Sequence, residues 1–546
     1  MAIANLIVTL RIPFLTAAGY CLYCLIQHRR KINELRKQGV RMPEGWSWLT
    51  GHLLVLQKYA DRLPSDANVL LAVHELCKDF AGTDVFLVDF WPVDFAIYMV
   101  SDADVAVQVA SKHNLPKSDI MPGRLLPITG GPSLWRSVFN PGFSAVNIMD
   151  QVPAVVDSVQ VFCDVLREKV GSGIAQLDNA SLRDLAGTDI IRDMAANYQR
   201  QDNELVHALN TITSWHSFWD PRILSNLLRP FVQKYYGWVL DRCIREELTK
   251  RFAEMQQGKC SPSPTSKRVK SVIALALEAY LAENPRKAGE TDRLDDVFAT
   301  YASHQIRLFL FAGNDTSSSI VYVYHILSKH LEALSQVRQE HDRVFGTDSS
   351  AAADLLKANP AILIQCPYTL AVIKETLRVF PPSSTSRQGR NDSATLTDRH
   401  GNIYPLDGDV GAEIIHPSVQ KNPRIWPRAE EFLPERFLVE PWHELYPHPA
   451  WRPFEQGPRN CIGQTLVYNE MRIVLIMTAR MFDIKPAYDE WDVLQAASEG
   501  SLTKLARWTG LTGNQIKTVH GERAYQWEKA GSHPADGYPC RITLAQ

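Results

Sequence analysis

Near the carboxyl end the chain reads Phe454-Glu455-Gln456-Gly457-Pro458-Arg459-Asn460-Cys461-Ile462-Gly463, which places a cysteine between two glycines with an arginine two positions before it. A thiolate needs main-chain N–H groups to hold its charge, and Gly457 and Gly463 let the backbone fold closely around the sulfur. Arg459 offers a planar fork of donors suited to a propionate, and Phe454 can keep water off the sulfur. These are the needs of a thiolate ligand to haem iron, which pushes electron density to the metal and favours O–O cleavage. Cys461 is the expected iron ligand. A structural cysteine buried in a turn is the alternative for this stretch taken alone.

A chain of 546 residues that is 45% hydrophobic and 22% charged can bury a sizeable core, as several average domains or as one large one. A formal net charge of −2 gives no general attraction to nucleic acid. The nine cysteines are scattered without disulfide or zinc spacing, so the thiols are expected to be reduced and to face the cytosol. Cys21 and Cys24 fall within an apolar run and read as buried packing residues.

That run, residues 6–26, is followed at once by His28-Arg29-Arg30-Lys31. Roughly 20 apolar residues suffice to cross a bilayer as a helix, and a basic cluster would stay on the cytosolic side. Residues 1–30 are therefore expected to form a transmembrane signal-anchor, with 31–546 as the catalytic domain. Arg11 and Pro13 oppose this, and an interfacial helix is the fallback.

Helical periodicity dominates the rest, with short strands expected near 85–88 and 393–404 and a Ser/Pro-rich loop over 256–270. A mostly helical run over 293–345 contains Phe311-Ala312-Gly313-Asn314-Asp315-Thr316-Ser317. Glycine and asparagine suit a helix centre poorly, which predicts a local distortion there. Farther on come Lys374-Glu375-Thr376-Leu377-Arg378 before Phe380-Pro381-Pro382, and then Pro434-Glu435-Arg436-Phe437. Glu375 and Arg378 share a helix face, and the prolines end that helix.

The cysteine loop, the A-G-x-D-T, the E-x-x-R and the P-E-R-F stand in an order that resembles the cytochrome P-450 family from about residue 40 to the end. Phrases such as Gln305-Ile306-Arg307-Leu308-Phe309-Leu310-Phe311-Ala312-Gly313 and His533-Pro534-Ala535-Asp536-Gly537-Tyr538-Pro539 look like membrane-bound filamentous-fungal members. The resemblance implies a mainly α fold with minor β-sheets, a single large domain binding haem b behind an N-terminal membrane anchor. It implies that Asp315 and Thr316 deliver protons to bound dioxygen, and that Arg436 joins Glu375 and Arg378 in a buried structural network. Arg136 and Arg387 would join Arg459 at the propionates, although Pro132 stands where the family has tryptophan. The Pro-rich hinge usual after the anchor is reduced to Pro43-Glu44-Gly45, and residues 488–517 look like an insertion.

The activity so implied is monooxygenation of a lipophilic small molecule, a fungal polyketide, terpenoid or alkaloid, by O2. Pocket segments would be 93–126, 210–240, 308–316, 383–388 and 528–533. Electrons would come from NADPH–cytochrome P-450 reductase, with cytochrome b5 as accessory donor, because no G-x-G-x-x-G follows a strand here. The implied location is the endoplasmic reticulum membrane, single-pass, with the domain in the cytosol and no nucleic acid partner. A haem-thiolate isomerase or dehydratase that needs no O2, and a catalytically silent haem carrier, remain as alternatives.

Overall fold

The computed structural model describes residues 2–80, 82–118, 120–131, 140–178, 203–217, 221–256, 272–283, 294–389, 394–408, 410–438, 448–498, 516–528 and 531–545. The chain starts with one long helix, α1 (Ala2–Lys37). Among the described residues no helix is long and apolar enough to cross a membrane. Arg11, Pro13, Thr16, Gly19 and Tyr20 dilute the apolar run, so the expected single-pass span is not supported. No break marks residue 30 either. Leu25, Arg29, Ile32 and Leu35 are buried against the body of the protein, while Leu15, Tyr20, Leu22 and Tyr23 are exposed. Cys21 is exposed and Cys24 only half-buried, against the expectation that both pack inside.

The basic cluster that looked like a membrane flank has acid partners within the protein. His28 meets Asp89 at 2.8 Å, Arg29 pairs with the same carboxylate, and Lys31 pairs with Asp407. Asp89 also accepts from Trp46 Nε1 at 2.8 Å, and the Arg29 guanidinium lies 5.5 Å and 5.3 Å from the ring centres of Trp46 and Trp91. Burial alone would raise the Asp89 carboxyl, but hydrogen bonds from His28 and Trp46 and the charge of Arg29 hold it low. His52 completes the cluster. Its Nδ1 accepts from the Asp89 N–H at 2.9 Å, so Nε2 carries the proton that reaches Pro43 O at 3.1 Å.

Asp89 ends β1 (Val85–Asp89), which pairs antiparallel with β2 (Ala96–Val100). Both strands are buried throughout, as continuous apolar runs require when a sheet is covered on both faces. Alternation divides their side chains between two cores: Val85, Leu87, Tyr98 and Val100 on one face, Phe86, Val88, Ile97 and Met99 on the other. The main helices follow in order: α2 (Ile120–Thr129), α3 (Ala145–Lys169), α4 (Glu204–Ser214), α5 (Arg229–Gln256), α6 (Asp296–Lys329), α7 (Leu331–Phe345) and α8 (Pro367–Val379). Then β4 (Thr385–Gln388) and β7 (Val410–Ile414) complete the β1-β2-β7-β4 sheet, flanking a hairpin of β5 (Ala394–Thr397) and β6 (Ile403–Leu406). After α9 (Gln464–Thr478), β8 (Phe482–Pro486) pairs with the last strand, β11 (Pro539–Leu544), whose other edge takes the two-residue β3 (Ala175–Gln176). Between these strands lies the short hairpin of β9 (Gln526–Glu528) and β10 (Ser532–Pro534).

Helix α6 joins two cores. Asp295 caps it, accepting from Val297 N at 2.8 Å and Phe298 N at 3.3 Å. Its first half, with Phe298, Ala302, Ile306 and Phe309, packs with α4 and α5, and its second half, with Ile320, Val323 and Leu327, packs with α3, α8 and α9. The expected helical run over 293–345 is thus two helices, α6 and α7, meeting at His330. The loop placed over 256–270 lies outside the described residues except for Gln256, which ends α5, and of the suggested insertion only a helix over Tyr488–Ser498 and residues 516–517 are described.

Candidate active site

The cysteine loop enters α9 directly. Cys461 N donates to Phe454 O at 2.9 Å and Asn460 N to Gly457 O at 3.1 Å, which folds the segment into a compact turn. Gly457 has φ +80°, and a Cβ there would lie 2.7 Å from Ala110 O. Its close approach is therefore to the backbone at Ala110 and not to the sulfur, whereas a Cβ at Gly463 would stand 3.9 Å from Cys461 Sγ, an ordinary contact. Phe454 packs between the two largest cores, edge-on to Tyr468 with ring centres 5.2 Å apart. Arg459 Nε donates to Asn114 Oδ1 at 3.2 Å.

One residue in this loop breaks a backbone rule. Glu455 has φ +57°, a left-handed conformation that a residue with a side chain rarely adopts. Its carboxylate is gripped by the fully buried Arg452, whose Nε lies 2.9 Å away, and by His416 at 3.3 Å. Burial would raise the Glu455 carboxyl, but the hydrogen bond and charge of His416 and the charge of Arg452 hold it well below the usual carboxylate range. The same carboxylate accepts from Gln456 N at 2.9 Å, and Arg452 N donates to Gln420 Oε1 at 2.7 Å. Arg452, His416 and Gln420 carried no signal in the sequence beyond the i, i+3 pairing of Arg452 with Glu455. They fix the turn that presents Cys461.

Glu375, Arg378 and Arg436 are brought together and buried. Arg378 grips Glu375 through two parallel bonds of 2.8 Å, and Arg436 Nε donates to the same carboxylate at 3.2 Å. The remaining donors reach main-chain carbonyls: Arg378 bonds Gln420 O at 3.0 Å and Ala429 O at 2.7 Å, and Arg436 bonds Pro427 O at 2.6 Å. The network so ties α8 to the segment before the cysteine loop, sharing Gln420 with Arg452. Phe380 and the two prolines end α8 as their types require.

Helix α6 runs α-helical through Gly313 and Asn314, without the break those residues suggested. Ala312 is nonetheless exposed and Gly313 half-buried, although Phe309 to Phe311 before them and Ser318 to Ile320 farther along are buried. Small accessible residues at this point leave open space beside the helix. Asp315 and Thr316 follow on the same helix, but their side chains lie outside the described residues, as does Arg136 altogether. Arg387 is buried on β4, opposite Ala412 of β7.

These residues fit a haem held through Cys461. Burial pushes the thiols of Cys77, Cys163, Cys366 and Cys540 up to about 12, which keeps them protonated, whereas Cys461 is exposed. A metal-binding thiolate needs the second condition.

Residues 133–505 match the model of the family described as Cytochrome P450. The chain is similar to cytochrome P450 monooxygenase polC of Polytolypa hystricis, 36% identical over 96% of this chain and 93% of the relative. It is also similar to cytochrome P450 monooxygenase acrF of Aspergillus aculeatus, 30% identical over 88% of this chain and 98% of that one. Among solved structures, the crystal structure of the cytochrome P450DA heme domain superposes with a TM-score of 0.65 at 14% identity, covering 93% of this chain and 98% of that one. That likeness concerns the fold, mainly helical with small sheets.

Proposed function

Because the chain belongs to the cytochrome P450 family, we propose that Cys461 would hold the iron of its haem b through its sulfur and that the substrate is a lipophilic small molecule of fungal secondary metabolism, a polyketide, terpenoid or alkaloid. The enzyme is a monooxygenase: one oxygen atom of O2 enters the substrate, the other leaves as water, and two electrons and two protons are consumed. The observation that carries the site assignment is the contrast between an exposed Cys461 and the buried pairs that shape its loop. Monooxygenase names among the relatives favour O2-dependent chemistry over an isomerase, a dehydratase or a silent carrier.

When bound, the haem supplies the binding and activation of dioxygen. The chain's own residues do the rest. Phe454 would keep water off the sulfur, while Arg459, Arg387 and Arg136 would offset the propionate charges. On α6 Thr316 would hold a water through its hydroxyl, and Asp315 would pass a proton to it from solvent. Electrons arrive from NADPH–cytochrome P-450 reductase, with cytochrome b5 as a second donor, on the cysteine side.

We also propose that the protein attaches to the endoplasmic reticulum membrane through α1, with the catalytic domain in the cytosol. The support is the exposed Leu15, Tyr20, Leu22 and Tyr23 of α1 and a second exposed set, Leu227 and Leu228 just before α5 with Phe231 and Trp238 on it.

The test of the site is Cys461→Ser. The expected result is loss of the red-shifted Soret band of the ferrous–CO complex together with activity. A mutant that keeps the thiolate spectrum would show another cysteine to be the ligand.

A further inference from the structure

Arg307 lies on α6 among apolar neighbours and is only 4% exposed. Its guanidinium donates to main-chain carbonyls, from Nε to Ile128 O at 2.7 Å and from Nη2 to Pro127 O at 2.9 Å. The carboxylate whose charge it feels, Asp241 on α5, is itself held by Arg245 at 2.7 Å and Ser303 at 2.6 Å. Burial lowers the Arg307 guanidinium to about 10, so it stays charged at neutral pH. An enclosed charge is costly unless its surroundings return the loss.

The two carbonyls belong to the last turn of α2, where main-chain acceptors lack helical partners and the helix dipole is negative. Arg307 therefore caps α2 from the side of another helix. The chain just beyond makes this possible. A Cβ at Gly130, where φ is +80°, would fall 2.3 Å from Arg307 Nη1, and one at Gly131 would fall 2.1 Å from His304 Cε1. Two successive glycines form a notch that receives successive turns of α6. With α2 seated there, Leu125 and Ile128 meet Leu308 and Phe311 in a small separate cluster, immediately before the exposed Ala312.

We propose that Arg307 is a positioning residue for the oxidation: it latches the end of α2 onto α6 and so sets how closely Leu125 and Ile128 close over the distal pocket. This rests on the reading that the pocket lies along α6 at Ala312 to Thr316. A latched roof excludes ligands too large to fit beneath it unless α2 lifts, so their apparent affinity is reduced by the fraction of molecules with α2 raised.

The probes are imidazole, which fits under a closed roof, and a bulky triarylmethyl imidazole, which does not. Each Kd is read from the Soret shift of the full-length holoenzyme. In Arg307→Gln the bulky azole should bind about ten-fold tighter, the scale of a lost charged hydrogen bond, while imidazole changes less than about two-fold. Gly131→Ala should act alike by pushing on His304, and adding His304→Ala should restore the wild-type ratio. The relieved pair keeps the test open should Arg307→Gln fail to fold. A bulky azole that binds no tighter to either variant, or azoles that shift in parallel, would overturn the latch. Absence of any azole-induced Soret shift in the wild type would instead sink the haem reading.

Discussion

Arg29 in the last third of α1 is buried against Asp89 at the end of β1, 60 residues along the chain. Its Nε also donates to Trp48 O at 2.6 Å, and two indole rings flank the guanidinium. A segment whose composition suggests a tether is therefore part of the core at its carboxyl end. Where the chain is cut decides whether the remainder is whole.

A chain beginning at Leu25 should keep the melting temperature and the ferrous–CO spectrum of the full-length protein, because residues 15–23 of the stretch it loses are exposed. One beginning at Ile32 loses His28, Arg29 and Lys31 and leaves Asp89 buried without its cationic partner. Breaking a buried pair from one side costs about 3–5 kcal/mol, so this version should melt several degrees lower, as should Asp89→Asn. Equal melting temperatures for the two truncations would show the Arg29–Asp89 pair to be idle.

Glu375→Gln keeps the shape of the network but removes the charge that Arg378 and Arg436 share. Two buried guanidinium groups would then face one amide, and the segment leading to the cysteine loop should loosen. The expected outcome is a large drop in CO-binding haem per unit of protein. Full haem loading with an unchanged melting temperature would count against a role in shaping the pocket.

Thr316→Ala removes the proposed water-holding hydroxyl with little change in pocket size. Ligand binding and NADPH oxidation should persist, while product formed per NADPH falls and hydrogen peroxide rises. Acid–base groups are typically worth about 10²- to 10⁴-fold, and a replacement water should keep the loss at or below the lower end. Unchanged coupling, with the lipophilic substrate that turns over best, would leave Thr316 as an ordinary helix residue.

His52 provides the pH prediction. Burial, opposed by the charge of Asp89, lowers it to about 4, against about 6.5 for an exposed histidine. Between those values the unfolded chain binds the extra proton and the folded one does not, so stability rises with pH across the window and is lost as pH falls from about 6.5 to 4. The shift amounts to roughly 3 kcal/mol at most. His52→Gln should be less stable at pH 7 but show a shallower decline with acid. An equally steep decline would assign the acid sensitivity to other buried histidines, such as His216, which is also lowered to about 4 by burial.

What could be read in advance depended on how far apart the partners stand. Glu375 and Arg378 share a helix face by spacing alone, and β1 shows itself as a continuous apolar run. Cys461 stands in a turn whose glycines and arginine are neighbours in sequence. By contrast, the grip of His416 on Glu455 and of Arg29 on Asp89 joins residues 39 and 60 positions apart, and only folding reveals them. The same holds for His28 to Lys31, whose charge pattern matched a membrane flank until their acid partners on β1 and after β6 came into view. Arg307 was visible only as part of a phrase; its carbonyl partners lie 179 and 180 residues away.

The continuity of α1 ties posture to contact. Its 36 residues span about 54 Å, and the stretch after Leu25 cannot swivel because it is part of the body. A flexible leash would let the enzyme roll on whatever surface it meets. Here the exposed stretch over residues 15–23 continues the same helix, so the angle at which it comes to rest sets which side of the catalytic body faces that surface and which side remains open to an electron donor.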